Sequence, residues 1–197
     1  MNRLALILTV SVACFSGSVL ADDSGFYLGA GLARDHLTAC VKTTTSNCKD
    51  TFTSYSQQAA NLRLLGGYAF GKHFAIEGEL ADLGTYEVQD GFGSIVGKAK
   101  VSSITIAAKG TITFPHGWSI FGKAGIASTR MQYSANPGWV LLMSADQSSG
   151  GLIIGAGGQY DFNESMAVRL WSDGATYDDS GYTGVVGGTT VAAIFKF

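Results

Sequence analysis

Apolar and polar residues alternate with a period of two through most of the chain beyond residue 24. The alternation predicts eight strands, at about 25–33, 60–70, 74–84, 100–114, 118–130, 151–162, 166–175 and 185–197. Short and long connections alternate between them. The short ones are Gly71-Lys72-His73, Pro115-His116-Gly117 and Asn163-Glu164-Ser165, and the long ones run over roughly 34–59, 85–99, 131–150 and 176–184. Three-residue turns would pair Phe70 with Phe74, Phe114 with Trp118, and Phe162 with Met166. One step further out, Tyr68 meets Ile76, Ile112 meets Ile120, and Tyr160 meets Val168. Directly opposed residues share a face of a sheet, and in all three hairpins this register matches apolar with apolar. A slip of one residue would mix the faces.

One face is then almost unbroken hydrocarbon: Leu62, Leu64 and Tyr68 on the second strand, Ile104, Ile106 and Ile112 on the fourth, Leu152, Ile154 and Tyr160 on the sixth. The opposite parity carries Arg63, Glu77, Glu79, Lys109, Lys123, Asp161, Arg169 and Lys196. A soluble sandwich or ligand-binding barrel would bury the apolar face and would not set mid-strand charges against it. The expectation is therefore all-β, an eight-stranded antiparallel up-and-down transmembrane β-barrel with lipid outside and charge inside. Short turns belong on the periplasmic side of such a barrel and long loops on the extracellular side. No stretch after the first 21 residues is long and apolar enough for a membrane-spanning helix. Aromatic residues crowd beside the short turns, at Tyr68, Phe70, Phe74, Phe114, Trp118, Tyr160, Phe162, Phe195 and Phe197. Rings favour the bilayer interface, so these are expected to form a periplasmic girdle.

Eight strands enclose a space just wide enough for side chains. An isolated charge there costs several kcal/mol to desolvate, so the interior charges must pair. Arg63 lies diagonal to Glu79 across the first hairpin, and Glu77 or Glu79 can reach Lys109. Lys109 and Lys123 face each other and would repel without such a carboxylate. These groups are expected to form a salt-bridge plug; an ion path or gate is the alternative.

Composition narrows the picture further. A formal net charge of −2 with 14% charged residues gives no basic patch and no case for nucleic acid. Twenty-seven glycines and only 2 prolines suit twisted strands around a narrow interior. Residues 1–21 are expected to be a signal peptide, with a basic start at Arg3, an apolar run from Leu4 to Val12, and cleavage after Val19-Leu20-Ala21. Ser11-Val12-Ala13-Cys14 offers a competing lipoprotein-type site, in which Ser11 stands where leucine is usual. Residues 22–197 then form one barrel domain. Cys40 and Cys48 are expected to form a disulfide in an oxidising compartment, worth about 2.5 kcal/mol on a chain-entropy estimate. Only His36 lies near them, too few ligands for a metal.

No catalytic residue is expected. His73 and His116 sit in short turns, and His36 beside Asp35 reads as an ordinary pair in the first long loop. Asp173, Asp178 and Asp179 read as a solvated acidic cluster near the last long loop, with binding of a divalent cation or bridging of lipopolysaccharide as the alternative. The third long loop holds Trp139, Val140, Leu141 and Leu142, an apolar run that either packs on the rim or marks a contact site.

The segment from Val185 to Phe197 is long enough to cross a bilayer as a tilted strand, at roughly 9–11 residues. Thr189, Val191, Ala193, Phe195 and Phe197 share its apolar face and Lys196 lies on the other. Together with Gly25-Phe26-Tyr27-Leu28-Gly29-Ala30-Gly31-Leu32, Leu64-Leu65-Gly66-Gly67-Tyr68 and Phe74-Ala75-Ile76-Glu77, it resembles the OmpA-like eight-stranded outer-membrane barrels, including the small porin-family surface antigens. The resemblance covers essentially the whole chain beyond the signal. It implies a bacterial outer-membrane location with extracellular long loops, insertion by the outer-membrane assembly machinery through the last strand, and contact with membrane lipid and lipopolysaccharide. The peptidoglycan-anchoring role of the larger relatives is not expected here. No cofactor is implied. The expected function is a non-enzymatic surface barrel for envelope integrity, adhesion or host-surface interaction; the alternative is a narrow passive channel for small solutes or ions.

Overall fold

The computed structural model describes residues 24–42, 48–55, 60–89, 95–135, 146–178 and 182–197. They form nine strands: β1 (Gly25–Lys42), β2 (Cys48–Tyr55), β3 (Asn61–Ala69), β4 (Phe74–Gln89), β5 (Ile95–Thr113), β6 (Trp118–Ala135), β7 (Asp146–Asp161), β8 (Met166–Asp178) and β9 (Tyr182–Lys196). Neighbours in the sheet follow the order β2-β1-β3-β4-β5-β6-β7-β8-β9, and β9 returns to pair with β1. All strands but β2 therefore close an antiparallel up-and-down barrel of eight. Closure is what a lipid setting demands, because hydrocarbon offers no water to an open strand edge.

The three short turns hold the register that the alternation predicts. Phe70 donates its N–H to the Phe74 carbonyl (2.8 Å), Phe114 to Trp118 (2.7 Å) and Phe162 to Met166 (3.0 Å). Tyr68 opposes Ile76, Ile112 opposes Ile120, and Tyr160 opposes Val168. The turn after β5 passes through His116 (φ 67°) and Gly117 (φ 80°), both left-handed. Glycine is required at the second, where a Cβ would lie 2.7 Å from the Asp161 carbonyl.

The strands run further than expected at the long-loop end. β1 continues to Lys42 instead of stopping near residue 33, and its far half pairs with β2 from His36–Tyr55 to Lys42–Cys48. Part of the expected 34–59 loop is thus sheet. β4, β5, β6 and β7 likewise reach into segments read as loops. Past the belt the outward face turns polar, as at Lys98, Lys100 and Arg130, while the inward face turns apolar, as at Tyr86, Val101 and Met131. The expected pattern of hydrocarbon outside and charge inside therefore lapses while the hydrogen-bonded ladder continues. Residues 1–21, residues 136–145 of the third long loop including Trp139, Val140, Leu141 and Leu142, and the side chains of Cys40 and Cys48 lie outside the described part.

The outer surface is a hydrocarbon belt: Leu152, Ile154, Ile126, Ile104 and Ile112 are each at least 60% exposed. Inside, side chains fill the barrel. An apolar cluster of Leu37, Leu83, Tyr86, Val101, Met131, Ile153, Tyr177 and Val186 occupies the long-loop side. A second, including Tyr27, Leu65, Phe121, Trp171 and Ile194, occupies the short-turn side. The belt makes a depth-dependent prediction. Ile106→Lys, in mid-belt, should lower unfolding stability by about 2–4 kcal/mol in vesicles, whereas Ser134→Lys, beyond the belt, should cost about 0–1 kcal/mol. Denaturant titration of both variants checks it.

Candidate functional site: the buried charge network

Inward parity on β1, β3, β4, β5, β6 and β8 brings eight ionisable groups into the barrel interior, in two tiers. In the upper tier Arg63 stands among three carboxylates. Its guanidinium reaches Glu79 at 2.9 Å and Asp173 at 2.8 Å, and also bridges to Asp35. Lys123 joins the other sides of the same groups, with Glu79 at 2.8 Å and Asp173 as its second partner. Neutral donors add to the carboxylates: the Asn61 amide donates to Asp35 Oδ2 (2.8 Å), the oxygen that Arg63 does not take, and the Trp171 indole donates to Asp173 Oδ2 (2.9 Å) beside Lys123.

The lower tier is built around one carboxylate. Glu77 accepts from Lys109 (3.2 Å), from Arg169 and from the Tyr27 hydroxyl (2.6 Å). Both cations also lie over aromatic faces. Lys109 is 4.8 Å from the Tyr27 ring centre and 5.5 Å from Phe121; Arg169 is 5.4 Å and 5.0 Å from the same rings. Ring quadrupoles thus supply part of the negative potential that a second carboxylate would otherwise give. Arg169 also donates to Gln159 (2.9 Å), and Gln159 to Asp161 (2.7 Å). Asp161 meets Lys196 at 2.8 Å in a half-exposed pair at the short-turn rim.

Across both tiers four cations (Arg63, Lys109, Lys123, Arg169) meet four carboxylates (Asp35, Glu77, Glu79, Asp173), so the buried set is neutral. Lys109 and Lys123 do oppose each other directly on β5 and β6. Their repulsion is relieved because one turns to Glu77 and the other to Glu79. A glycine makes the upper tier fit. Gly188 on β9 lies opposite Asp35 on one side and Asp173 on the other, and a Cβ there would be 2.5 Å from Asp35 Oδ1. Bare backbone at that point lets two carboxylates close on one guanidinium.

The arrangement places Arg63, Glu79 and Lys123 in the upper tier and Glu77, Lys109 and Arg169 in the lower, with Asp161 and Lys196 attached to the lower tier through Gln159. Two members of the core were not expected. Asp35, read as half of a loop pair with His36, is fully buried in β1. Asp173, expected to cluster with Asp178 and Asp179 near the last long loop, points inward from β8; Asp178 is the last residue of the same strand, and Asp179 lies outside the described residues. Both share the inward parity of their strands, with Tyr27 and Ala33 for Asp35 and with Arg169 and Trp171 for Asp173. That parity was the available signal. Tyr27, Asn61 and Gln159 carried none beyond it.

Outside, near the short turns, the expected aromatic residues face outward and several are in contact. Phe26, which was not among them, begins a chain of rings to Tyr68 (4.8 Å), Phe70 (4.8 Å) and Phe74 (5.9 Å). Trp118, Tyr160 and Phe162 form a second chain at 4.9 and 5.2 Å. Phe114, Phe195 and Phe197 are exposed at the same end.

Removing one partner from the upper tier strands the others. Arg63→Met should destabilise the barrel by about 3–5 kcal/mol, since Asp35 then loses its cation and Glu79 and Asp173 are left to share Lys123. Adding Asp173→Asn should recover part of the loss, read by denaturant titration of single and double variants.

Comparison with known proteins agrees with this architecture. No curated protein matches the chain in sequence. Among solved structures, outer membrane protein OprG from Pseudomonas aeruginosa is similar with a TM-score of 0.63 at 15% identity, covering 89% of this chain and 97% of that one. Neisserial surface protein A aligns with a TM-score of 0.59 at 15% identity, covering 88% and 99%. The N-terminal β-barrel domain of Pseudomonas aeruginosa OprF gives 0.56 at 15% identity, covering 89% and 98%. At such identities the likeness concerns the fold alone. The family model for the outer membrane protein beta-barrel domain matches residues 5–193. With a closed eight-stranded barrel, a hydrocarbon belt and this match, the chain belongs to the outer membrane protein beta-barrel family.

Proposed function

We propose that the protein is a non-conducting, non-enzymatic surface barrel of the bacterial outer membrane that supports envelope integrity or adhesion through its long loops. The observation that carries this reading is the filling of the interior. Eight buried charged groups neutralise one another, and the layer of Leu37, Tyr86, Val101, Met131, Tyr177 and Val186 covers them on the long-loop side. An ion crossing such a barrel would have to break several ion pairs at once and also pass an apolar layer. A narrow channel for solutes or ions is therefore the less favoured reading.

The long-loop end is placed outside the cell in this proposal. Short turns flanked by aromatic residues are the usual periplasmic feature of such barrels, and Tyr68, Phe70, Trp118 and Phe162 lie at that end here. The assembly machinery would engage β9, whose outward face holds Val191, Ala193 and Phe195. A host-surface or envelope partner would meet the opposite end. Planar-bilayer recording tests the closed interior. The full barrel should give no sustained openings over a range of voltages, and stable, reproducible channels in the unmodified protein would overturn the reading.

A further inference from the structure

At the long-loop end the wall is no longer one continuous sheet. Beyond the belt β4, β5, β6 and β7 stay paired, out to Gln89–Ile95, Gly97–Ala135 and Gln132–Asp146. On the other side β8, β9, β1 and β2 stay paired, out to Asp178–Thr183, Val41–Tyr182 and Lys42–Cys48. Between these two groups the pairing stops lower down. The β3–β4 ladder ends at Arg63–Ala81 and the β7–β8 ladder at Ile153–Ala175, although β4 runs on to Gln89, β7 reaches back to Asp146 and β8 runs on to Asp178. Among the described residues β2 pairs with β1 alone. The far wall is thus two four-stranded sheets that face each other across the mouth.

Side chains stand where the backbone pairing stops. At the β7–β8 seam the Thr176 hydroxyl accepts from the Leu152 N–H (2.9 Å). The Ser149 hydroxyl accepts from the Asp178 N–H (3.0 Å) and donates to the Asp178 carbonyl (2.7 Å). Gly151 lies against the Thr176 carbonyl, where a Cβ would clash, so this seam is shut in the structure. At the other seam β4 is bulged between Asp82 and Gly84, with Gly84 left-handed (φ 93°), and a bulge bends its strand. The Leu83 carbonyl at that bend accepts from the Asn61 amide (3.2 Å) and from the Tyr86 hydroxyl (2.8 Å). A few side-chain hydrogen bonds contribute far less than a continuous ladder.

The apolar layer is where the two sheets meet. Tyr86, Val101 and Met131 come from β4, β5 and β6, and Leu37, Tyr177 and Val186 from β1, β8 and β9. The charge network fastens the foot of each seam. Arg63 bonds Glu79 across the first, and Asp173 reaches past β7 to Lys123 across the second. We propose that the two sheets are jaws, which part at the β7–β8 and β2–β4 seams and uncover an apolar cleft at the mouth while the charge network below stays shut. Opening breaks side-chain hydrogen bonds and apolar contacts but no ladder within either sheet. Burial of the apolar layer favours the closed form, so the open one is a minor state.

The test measures the width of the mouth by electron paramagnetic resonance between two spin labels on the full barrel in nanodiscs, in a chain whose native cysteines are serine. Thr38→Cys on β1 and Ser134→Cys on β6 put one label on each jaw, on opposite sides of the barrel. Leu32→Cys and Ile126→Cys label the same two strands within the belt, below the seams. The mouth pair should show a minor longer distance whose population rises about tenfold in S149A/T176V, the change that losing two hydrogen-bonding hydroxyls brings. S149T/T176S keeps both hydroxyls and should leave that population where it was. The belt pair should give one narrow distance throughout. A mouth distance that does not respond to S149A/T176V, an equal response to both double variants, or a belt pair that lengthens with the mouth would overturn the jaws. Heat-modifiable gel mobility shows that each variant is folded, and if S149A/T176V does not fold, Thr176→Val alone is read in the same way.

Discussion

Within hydrocarbon no water can satisfy an open strand edge, so the seam between β1 and β9, which runs from Tyr27–Lys196 to Val41–Tyr182, governs the rest of the molecule. Closing eight strands fixes the bore at about the width of the side chains that line it. Strand alternation then decides which residues enter that bore. Because the outward parity must be hydrocarbon, every mid-strand charge is sent inward, into a space too narrow for a solvated ion. The salt-bridge network follows from closure and parity together.

Neutrality is what makes such an interior tolerable. Buried ion pairs are weak evidence for stability in themselves, since desolvation can exceed the attraction. Their effect here is to fill a polar bore without leaving a bare charge. The division into tiers is uneven: three carboxylates and two cations above, one carboxylate and two cations below. Lys109 and Arg169 meet the shortfall below with the faces of Tyr27 and Phe121, while Lys123 and Arg63 each serve two or more acceptors above. Lys123 and Lys109, adjacent across β5 and β6, mark the boundary between the tiers, each turned to its own glutamate. Glycines such as Gly188 set how closely the carboxylates can approach.

Much of this was legible in the sequence where lipid imposes it. The three hairpin registers, the outward parity and six core members of the charge network all follow from a strict apolar face, because a single polar residue there would have broken the pattern. Where the wall leaves the membrane, that constraint lapses. β2, the far half of β1 and the extensions of β4 to β7 read as loops because outward positions such as Arg34, Lys98 and Gln132 replace hydrocarbon there. Asp35 was hidden by the same loss of signal, two residues past the expected end of β1. Asp173 is hidden differently, because Asp178 and Asp179 follow it closely and the three read together as one acidic cluster, although Asp178 ends β8. The apolar layer that covers the charges is legible only in part: Val101, Ile153 and Val186 fall in expected strands, whereas Leu37, Tyr86 and Tyr177 are inward residues of strand ends that read as loop.

The central claim is that the interior charges are paired and shielded from water. Hydrogen exchange at the lysine ammonium groups, followed by NMR on the folded barrel in nanodiscs, tests it most directly. The account predicts slowly exchanging, individually resolved ammonium signals for Lys109 and Lys123, beside rapid exchange for the exposed Lys98 and Lys100. Rapid exchange at all four would mean that water reaches the bore, and would contradict the account.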